Sequence, residues 1–157
     1  MRIKIIAVGK LKDKYFQEAV KEYEKRLLRF CKLEIIEIQD LKNPDLSSEA
    51  LCLETINKEG REILSKIKNE FVVALCIEGK KLDSVDFSKF IQNTTMTASD
   101  ITFVIGGSLG LSDEVKRRAD YKLSLSDMTF PHGLSRVILL EQIYRGFKIS
   151  AGENYHK

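Results

Sequence analysis

Short apolar runs recur along the chain and alternate with longer stretches in which apolar residues return every three or four positions. The runs are Arg2 to Val8, Leu33 to Ile38, Phe71 to Ile77 and Ile101 to Ile105, each followed by turn residues. Such runs predict strands, and the spaced stretches predict helices. In the first helix, Tyr15, Phe16, Ala19, Val20, Tyr23 and Leu27 share the side to be buried, while Lys12, Lys21, Lys25 and Arg26 stay wet. A second helix is expected to start near Ser47 or Ser48, whose hydroxyl can accept from free N–H groups. It pairs Glu54 with Lys58 and Glu62 with Lys66, one turn apart. The run from Phe71 to Ile77 is apolar on both faces, as a strand must be when helices cover its sheet on two sides. The predicted fold class is therefore α/β, with a mostly parallel sheet flanked by helices. No repeat, low-complexity tract or Gly/Ser linker interrupts residues 1–157, so one domain is expected. Asn43-Pro44-Asp45 looks like the longest loop of the first half.

In sheets of this kind ligands bind beyond the carboxyl ends of the strands. Three loops there carry unusual residues: Glu78-Gly79-Lys80, Gly106-Gly107-Ser108-Leu109-Gly110, and the stretch from Leu123 to His132. Three glycines in five residues permit close backbone approach or positive φ, although a tight strand-to-helix turn is the plainer explanation. The same five residues match G-x-S-x-G, so a small serine hydrolase with Ser108 as nucleophile is one enzymatic alternative. Three fixed positions are weak support, and the downstream acid and histidine that a triad needs are present only formally. No G-x-x-x-x-G-K-[ST] phosphate loop occurs. His132 sits in a loop between Pro131 and a helix running from Leu134 to Ile149. The loop from Leu125 to Phe130 mixes apolar and small polar residues, which suits the wall of a pocket for a flat heterocycle. The last helix is apolar almost all round through Leu134, Val137, Ile138, Leu139, Leu140, Ile143, Tyr144 and Phe147. It needs cover on more than one side, and a homodimer through this helix is expected.

Charge narrows the partners. The chain has 26 Lys and Arg against 23 Asp and Glu, a net charge of +3 that permits nucleic acid without demanding it. The first thirty residues are the basic segment, and Arg136, Arg145, Lys148 and Lys157 gather near the end with His132 and His156. RNA, if bound, should touch these two regions. The terminal Tyr155-His156-Lys157 offers a stacking ring, a titratable ring and a cation. No apolar stretch is long enough for a membrane span, and the opening run reads as a strand and not as a signal peptide, so a cytoplasmic protein is expected. Cys31, Cys52 and Cys76 are too far apart for a disulfide framework or structural zinc, and no metal is expected.

Taken together, several segments resemble the ribosomal RNA large subunit methyltransferase H family from the first strand to the last residue. They are Ile5 to Lys12, Glu22 to Leu27, Lys58-Glu59-Gly60, Ile77 to Lys80, Phe103 to Leu111, Met128 to His132, Arg136, Glu141 to Arg145 and Tyr155-His156-Lys157. That family belongs to the SPOUT, or α/β-knot, superfamily, and the resemblance implies a C-terminal trefoil knot that periodicity could not have disclosed. It further implies transfer of a methyl group from S-adenosylmethionine to N3 of a pseudouridine in 23S rRNA, on the assembled ribosome, by a homodimer. The cofactor is then expected against Leu75, Gly106 and the stretch Leu125, Ser126, Asp127, Met128, Thr129 and Phe130. N3 is an imide nitrogen and must lose a proton, so His132 and His156 are the candidate catalytic groups. Arg136 and Arg145 would hold negative charge, Tyr155 would stack on the base, and His156 and Lys157 would join them in binding substrate. A catalytically silent RNA-binding dimer is the non-enzymatic alternative.

Overall fold

The structure is a computed structural model that describes residues 1–41 and 45–155. Its elements follow in the order β1 (Arg2–Val8), α1 (Lys14–Leu27), β2 (Lys32–Ile38), α2 (Glu49–Ser65), β3 (Phe71–Lys81), α3 (Ser84–Thr97), β4 (Asp100–Ile105), α4 (Asp113–Arg118), β5 (Tyr121–Ser124) and α5 (His132–Ser150). The five strands form one sheet in the order β2-β1-β4-β3-β5, and every pairing is parallel. β1 puts Ile5 beside Ile35 of β2 and Phe103 of β4. Helices α1, α3 and α5 cover one face with Val20, Leu27, Phe87, Ile91, Leu139, Leu140 and Ile143. On the other face, α2 and α4 bring Ile63 and Val115 onto Ile6, Val72 and Val104. This is the three-layer α/β sandwich that apolar strands require.

The first strand matches its expected bounds, and the capping serine of α2 is Ser48, whose Oγ accepts from Leu51 N. Lys58 pairs with Glu54 at 2.6 Å as the spacing predicts. The Glu62–Lys66 pair is not formed; Lys66 is the C-cap residue of α2, one past its last helical residue, Ser65. Tyr15, expected inside, is 64% exposed and packs its ring on Phe16 at the start of α1. Asn43 and Pro44 of the expected loop lie outside the described residues.

Two elements were absent from the periodic reading, α4 and β5, at six and four residues too short to show a period. β5 converts the beginning of the third unusual loop into an edge strand. β3 runs four residues past Ile77. Its pairing with β5 jumps from Leu75↔Leu123 to Lys80↔Leu123, so Cys76–Gly79 extend past the last β4 partner, Ile105. Gly79 makes this bulge possible, since a Cβ there would lie 2.5 Å from the Leu123 carbonyl carbon. Residues 125–131 then lead from the sheet edge back to its centre, where α5 lies between α1 and α3.

A buried polar tie closes the amino-terminal edge of the sheet. Lys4 Nζ donates to Glu70 Oε1 at 2.5 Å and to the Lys66 carbonyl at 3.1 Å. Thr102 Oγ1 donates to the same carboxylate oxygen, and Lys68 N donates to the other. Burial raises the Glu70 carboxyl, but these hydrogen bonds outweigh it and bring it down to about 2.

Candidate active site

A cleft of about 830 Å³ opens at the carboxyl ends of β3, β4 and β5. The β3 overhang, Cys76 to Glu78, forms one wall with Leu75 at its base. The turn Gly106 to Gly110 forms the second wall, and the stretch from Leu125 to Pro131 forms the third. Local chemistry shapes each. Gly110 has φ +87° and its N–H donates to the Gly107 carbonyl at 3.0 Å, closing a four-residue turn. A Cβ on Gly106 would sit 2.8 Å from the backbone of Gly110, so only glycine lets this turn fold back on its strand. In the third wall, Ser124 Oγ donates to the Ser126 carbonyl and Met128 N donates to Ser126 Oγ, each at 3.0 Å. That loop holds Met128 72% exposed, an apolar side chain standing at the mouth of the cleft.

Of the eight residues expected to meet a cofactor, Leu75, Gly106, Leu125, Ser126, Met128, Thr129 and Phe130 line this cleft. Asp127 does not: its carboxylate turns outward to pair with Lys81. His132 lines the same cleft, on the first turn of α5 and not in a preceding loop, because α5 begins two residues before the expected Leu134. Burial, and then the charge of Arg136, hold its imidazole below its ordinary value.

The substrate-binding candidates are dispersed. Arg136 is 1% exposed, and its guanidinium donates to Glu37 Oε1 at 2.5 Å and to the carbonyl of Gly9. It lies beneath the surface and offers no open face to a phosphate. Arg145 donates twice to Glu141 Oε1, at 3.0 and 2.6 Å, and its guanidinium lies 4.8 Å from the Tyr155 ring. Tyr155 stands edge-on to Tyr144 at 5.0 Å. These two sit at the far end of α5, roughly 20 Å along the helix from His132 at 1.5 Å per residue. His156 and Lys157 lie outside the described residues.

Several supports went unread in the sequence. Glu59 is buried, accepts from Leu41 N at 3.2 Å, and lies against Gly107, with burial raising its carboxyl. Beside it, Gly60 lets Ser112 come close enough to cap α4 against α2. Gly9, at φ +92°, passes directly under the His132 ring, where a Cβ would lie 3.0 Å from Cε1. Glu59 and Gly60 are adjacent in the sequence, but nothing local says that a helix would place them under a distant turn.

Ser108 occupies the tip of the glycine turn, and α4 starts only at Asp113 with Ser112 as its cap. A nucleophile elbow needs its serine at the point where strand passes directly into helix. The hydrolase reading therefore fails on geometry. Among the described residues, no group of three or more His, Cys, Asp or Glu is placed to hold a metal, and no helix is long and apolar enough to cross a membrane.

Residues 1–156 match the family model described as "Predicted SPOUT methyltransferase". The chain belongs to this family. Its relatives include ribosomal RNA large subunit methyltransferase H 1 of Clostridium perfringens, 58% identical over the whole of both chains, and ribosomal RNA large subunit methyltransferase H of Clostridium kluyveri, 57% identical, again over both full lengths. Among solved structures, a probable methylase family protein from Haemophilus influenzae superposes over 99% of this chain and 70% of its own, with a TM-score of 0.58 at 11% identity. A tRNA (m1G37) methyltransferase from Aquifex aeolicus covers 92% of this chain and 70% of its own, with a TM-score of 0.53 at 16% identity. At such low identity these two speak for the fold alone. Family membership makes the chain a methyltransferase and sets aside the silent-dimer reading.

Proposed function

We propose that this protein is an S-adenosylmethionine-dependent methyltransferase that modifies N3 of a pseudouridine in 23S rRNA of the assembled ribosome, and that it works in the cytoplasm as a knotted homodimer. The observation that carries this reading is the convergence of Leu75, Gly106, Leu125, Ser126 and Met128 to Phe130 on one cleft, in a chain whose full-length relatives are named for rRNA methylation. The cleft fits the cofactor. Its volume is that of a small-molecule site, Leu75, Leu125 and Met128 supply apolar faces for a flat ring, and the tight Gly106 turn leaves backbone close at hand for the polar edge of an adenine.

When bound, that cofactor supplies the sulfonium methyl that replaces the imide proton of N3. The chain contributes enclosure and position, which supply most of the rate gain when the leaving group is already activated. His132 lines the place where cofactor and base would meet. Arg145 and Tyr155 are too far along α5 to reach the same chain's cleft. In the proposed dimer, the end of a second copy's α5 brings them in. Support for the dimer comes from α5 itself, where Val137, Ile138, Tyr144 and Phe147 stay only half-buried after α1 and α3 have packed. A weakly charged enzyme makes few phosphate contacts, which favours a shaped pocket on a particle over free RNA.

The test mixes the protein with methyl-labelled S-adenosylmethionine and ribosomes from cells lacking the modification, then identifies the labelled nucleoside. Label in N3-methylpseudouridine is the expected result. Label in another nucleoside, or none with a cofactor that binds, overturns the substrate. Failure to bind the cofactor at all overturns the donor.

A further inference from the structure

The two nitrogens of His132 have different surroundings. Nδ1 is buried without a hydrogen-bond partner among the described residues. With Nδ1 buried, Nε2 is the ring nitrogen left to meet a ligand in the cleft that His132 lines. A buried Nδ1 can be either an N–H donor or a bare acceptor. A donor there would leave its N–H dipole unmet beside the positive first turn of α5. His132 is the first residue of α5, where free backbone N–H groups and the helix dipole gather positive charge, and Arg136 stands one turn on in the same helix. A bare nitrogen lone pair is stabilised by the same field.

We infer that Arg136 and the amino terminus of α5 fix His132 as the neutral Nε2–H tautomer, so that it offers the cleft a hydrogen bond and does not accept the imide proton. Arg136 is a positioning residue in this arrangement. Its fork joins Glu37 to the Gly9 carbonyl, and Glu37 Oε1 also accepts from Leu11 N at 3.1 Å. The backbone of residues 9–11 is thereby anchored from β2 and α5 at once, and Gly9 is the surface on which the imidazole lies. The charged groups facing the ring are Arg136 on α5, Asp40 after β2, Glu37 on β2 and Asp13 at the cap of α1. The three carboxylates favour the imidazolium; burial and Arg136 oppose them and prevail. A neutral imidazole held by a helix amino terminus can polarise a carbonyl by donating, without a proton changing hands. In the proposed reaction the imide proton passes to solvent water, the carbonyls flanking N3 gain negative charge as it leaves, and they are what such a donor serves. Only this catalytic use rests on the proposed function.

The protein has two histidines, so labelling with ¹⁵N-histidine gives two imidazoles, and the spectrum of a His132→Gln variant identifies which is His132. At pH 7 the wild-type His132 is expected as the neutral Nε2–H tautomer. An Nδ1–H tautomer, or an imidazolium, overturns the inference without reference to any activity. Replacing Arg136→Met should raise the ionisation midpoint of His132, because the carboxylates then act alone, and Arg136→Lys should leave it near the wild-type value. A midpoint that ignores both changes removes Arg136 from the assignment. In methyl transfer, His132→Ala should fall by about tenfold or more, and His132→Gln, which keeps an N–H at similar reach, should recover much of the loss. Equal loss in both variants at unchanged cofactor affinity, together with a rate that falls as His132 protonates, would make it the base. If wild-type protein transfers no methyl group to any ribosome, the proposed function fails while the tautomer experiment still stands.

Discussion

At the amino-terminal edge of the sheet, Lys4, Glu70 and Thr102 satisfy one another inside the protein, and Arg118 donates to the Lys68 and Glu70 carbonyls from outside. At the carboxyl edge the same strands end in glycine turns, an overhanging β3 and a histidine nitrogen with no partner. One edge closes its polar groups on the protein, and the other opens into the cleft. On the proposed function, stability and cofactor binding lie at opposite ends of the sheet, and substitutions should separate them.

The largest expected effect is on the closed edge. Lys4→Met leaves Glu70 buried without its cation and should cost about 3 kcal/mol or more in denaturant unfolding, the usual range for breaking a buried pair from one side. Cofactor affinity, measured by calorimetry on the fraction still folded, should change little. If affinity falls in step with stability, the two edges are coupled and the comparison breaks. Gly106→Ala is the converse. Its methyl meets the Gly110 backbone, so cofactor affinity should drop about tenfold, or 1.4 kcal/mol, while the unfolding midpoint moves far less than in Lys4→Met.

Acid should act on the closed edge first. Glu70 in the folded protein titrates near 2, below the ordinary carboxylate value of about 4.3. Its contribution is therefore complete above the unfolded value and is lost as pH falls from about 5 toward 2. Unfolding free energy measured across that window should decline in wild type and decline less steeply in Glu70→Gln. Smallest is the effect of Ser48→Ala, which removes the cap of α2 and should cost about 1 kcal/mol of stability, with no change in cofactor affinity.

The legible part of this fold is the part governed by repetition. β1 could be bounded from its run of Ile and Val, and the rule that ligands lie beyond strand ends pointed to the loops at Glu78, Gly106 to Gly110 and Leu123 to His132, which meet at one cleft, while Leu75 came only from the family resemblance. What escaped was set by contacts between distant positions. Tyr121–Ser124 is a strand because Val73 to Leu75 lie beside it, not because four residues announce one. Arg136 looked like a cation for phosphate, since a sequence does not show that Glu37 and Gly9 close over it. Asp127 was drawn into the cofactor list by its neighbours, and Lys81, 46 positions earlier, turns it away.

The overhang of β3 also gives the protein a built-in reporter. Ile77 to Gly79 lie beyond the last β4 pair at Leu75 and within the stretch that the β5 register skips, so their amides are expected to exchange with solvent deuterium faster than those of the paired positions in the strand. A molecule seated in the cleft would shelter these peptide groups while leaving Val73 and Ala74, paired with both β4 and β5, as slow as before. Occupancy of the cleft could then be followed residue by residue along a single strand, with its first half serving as the internal standard for its second.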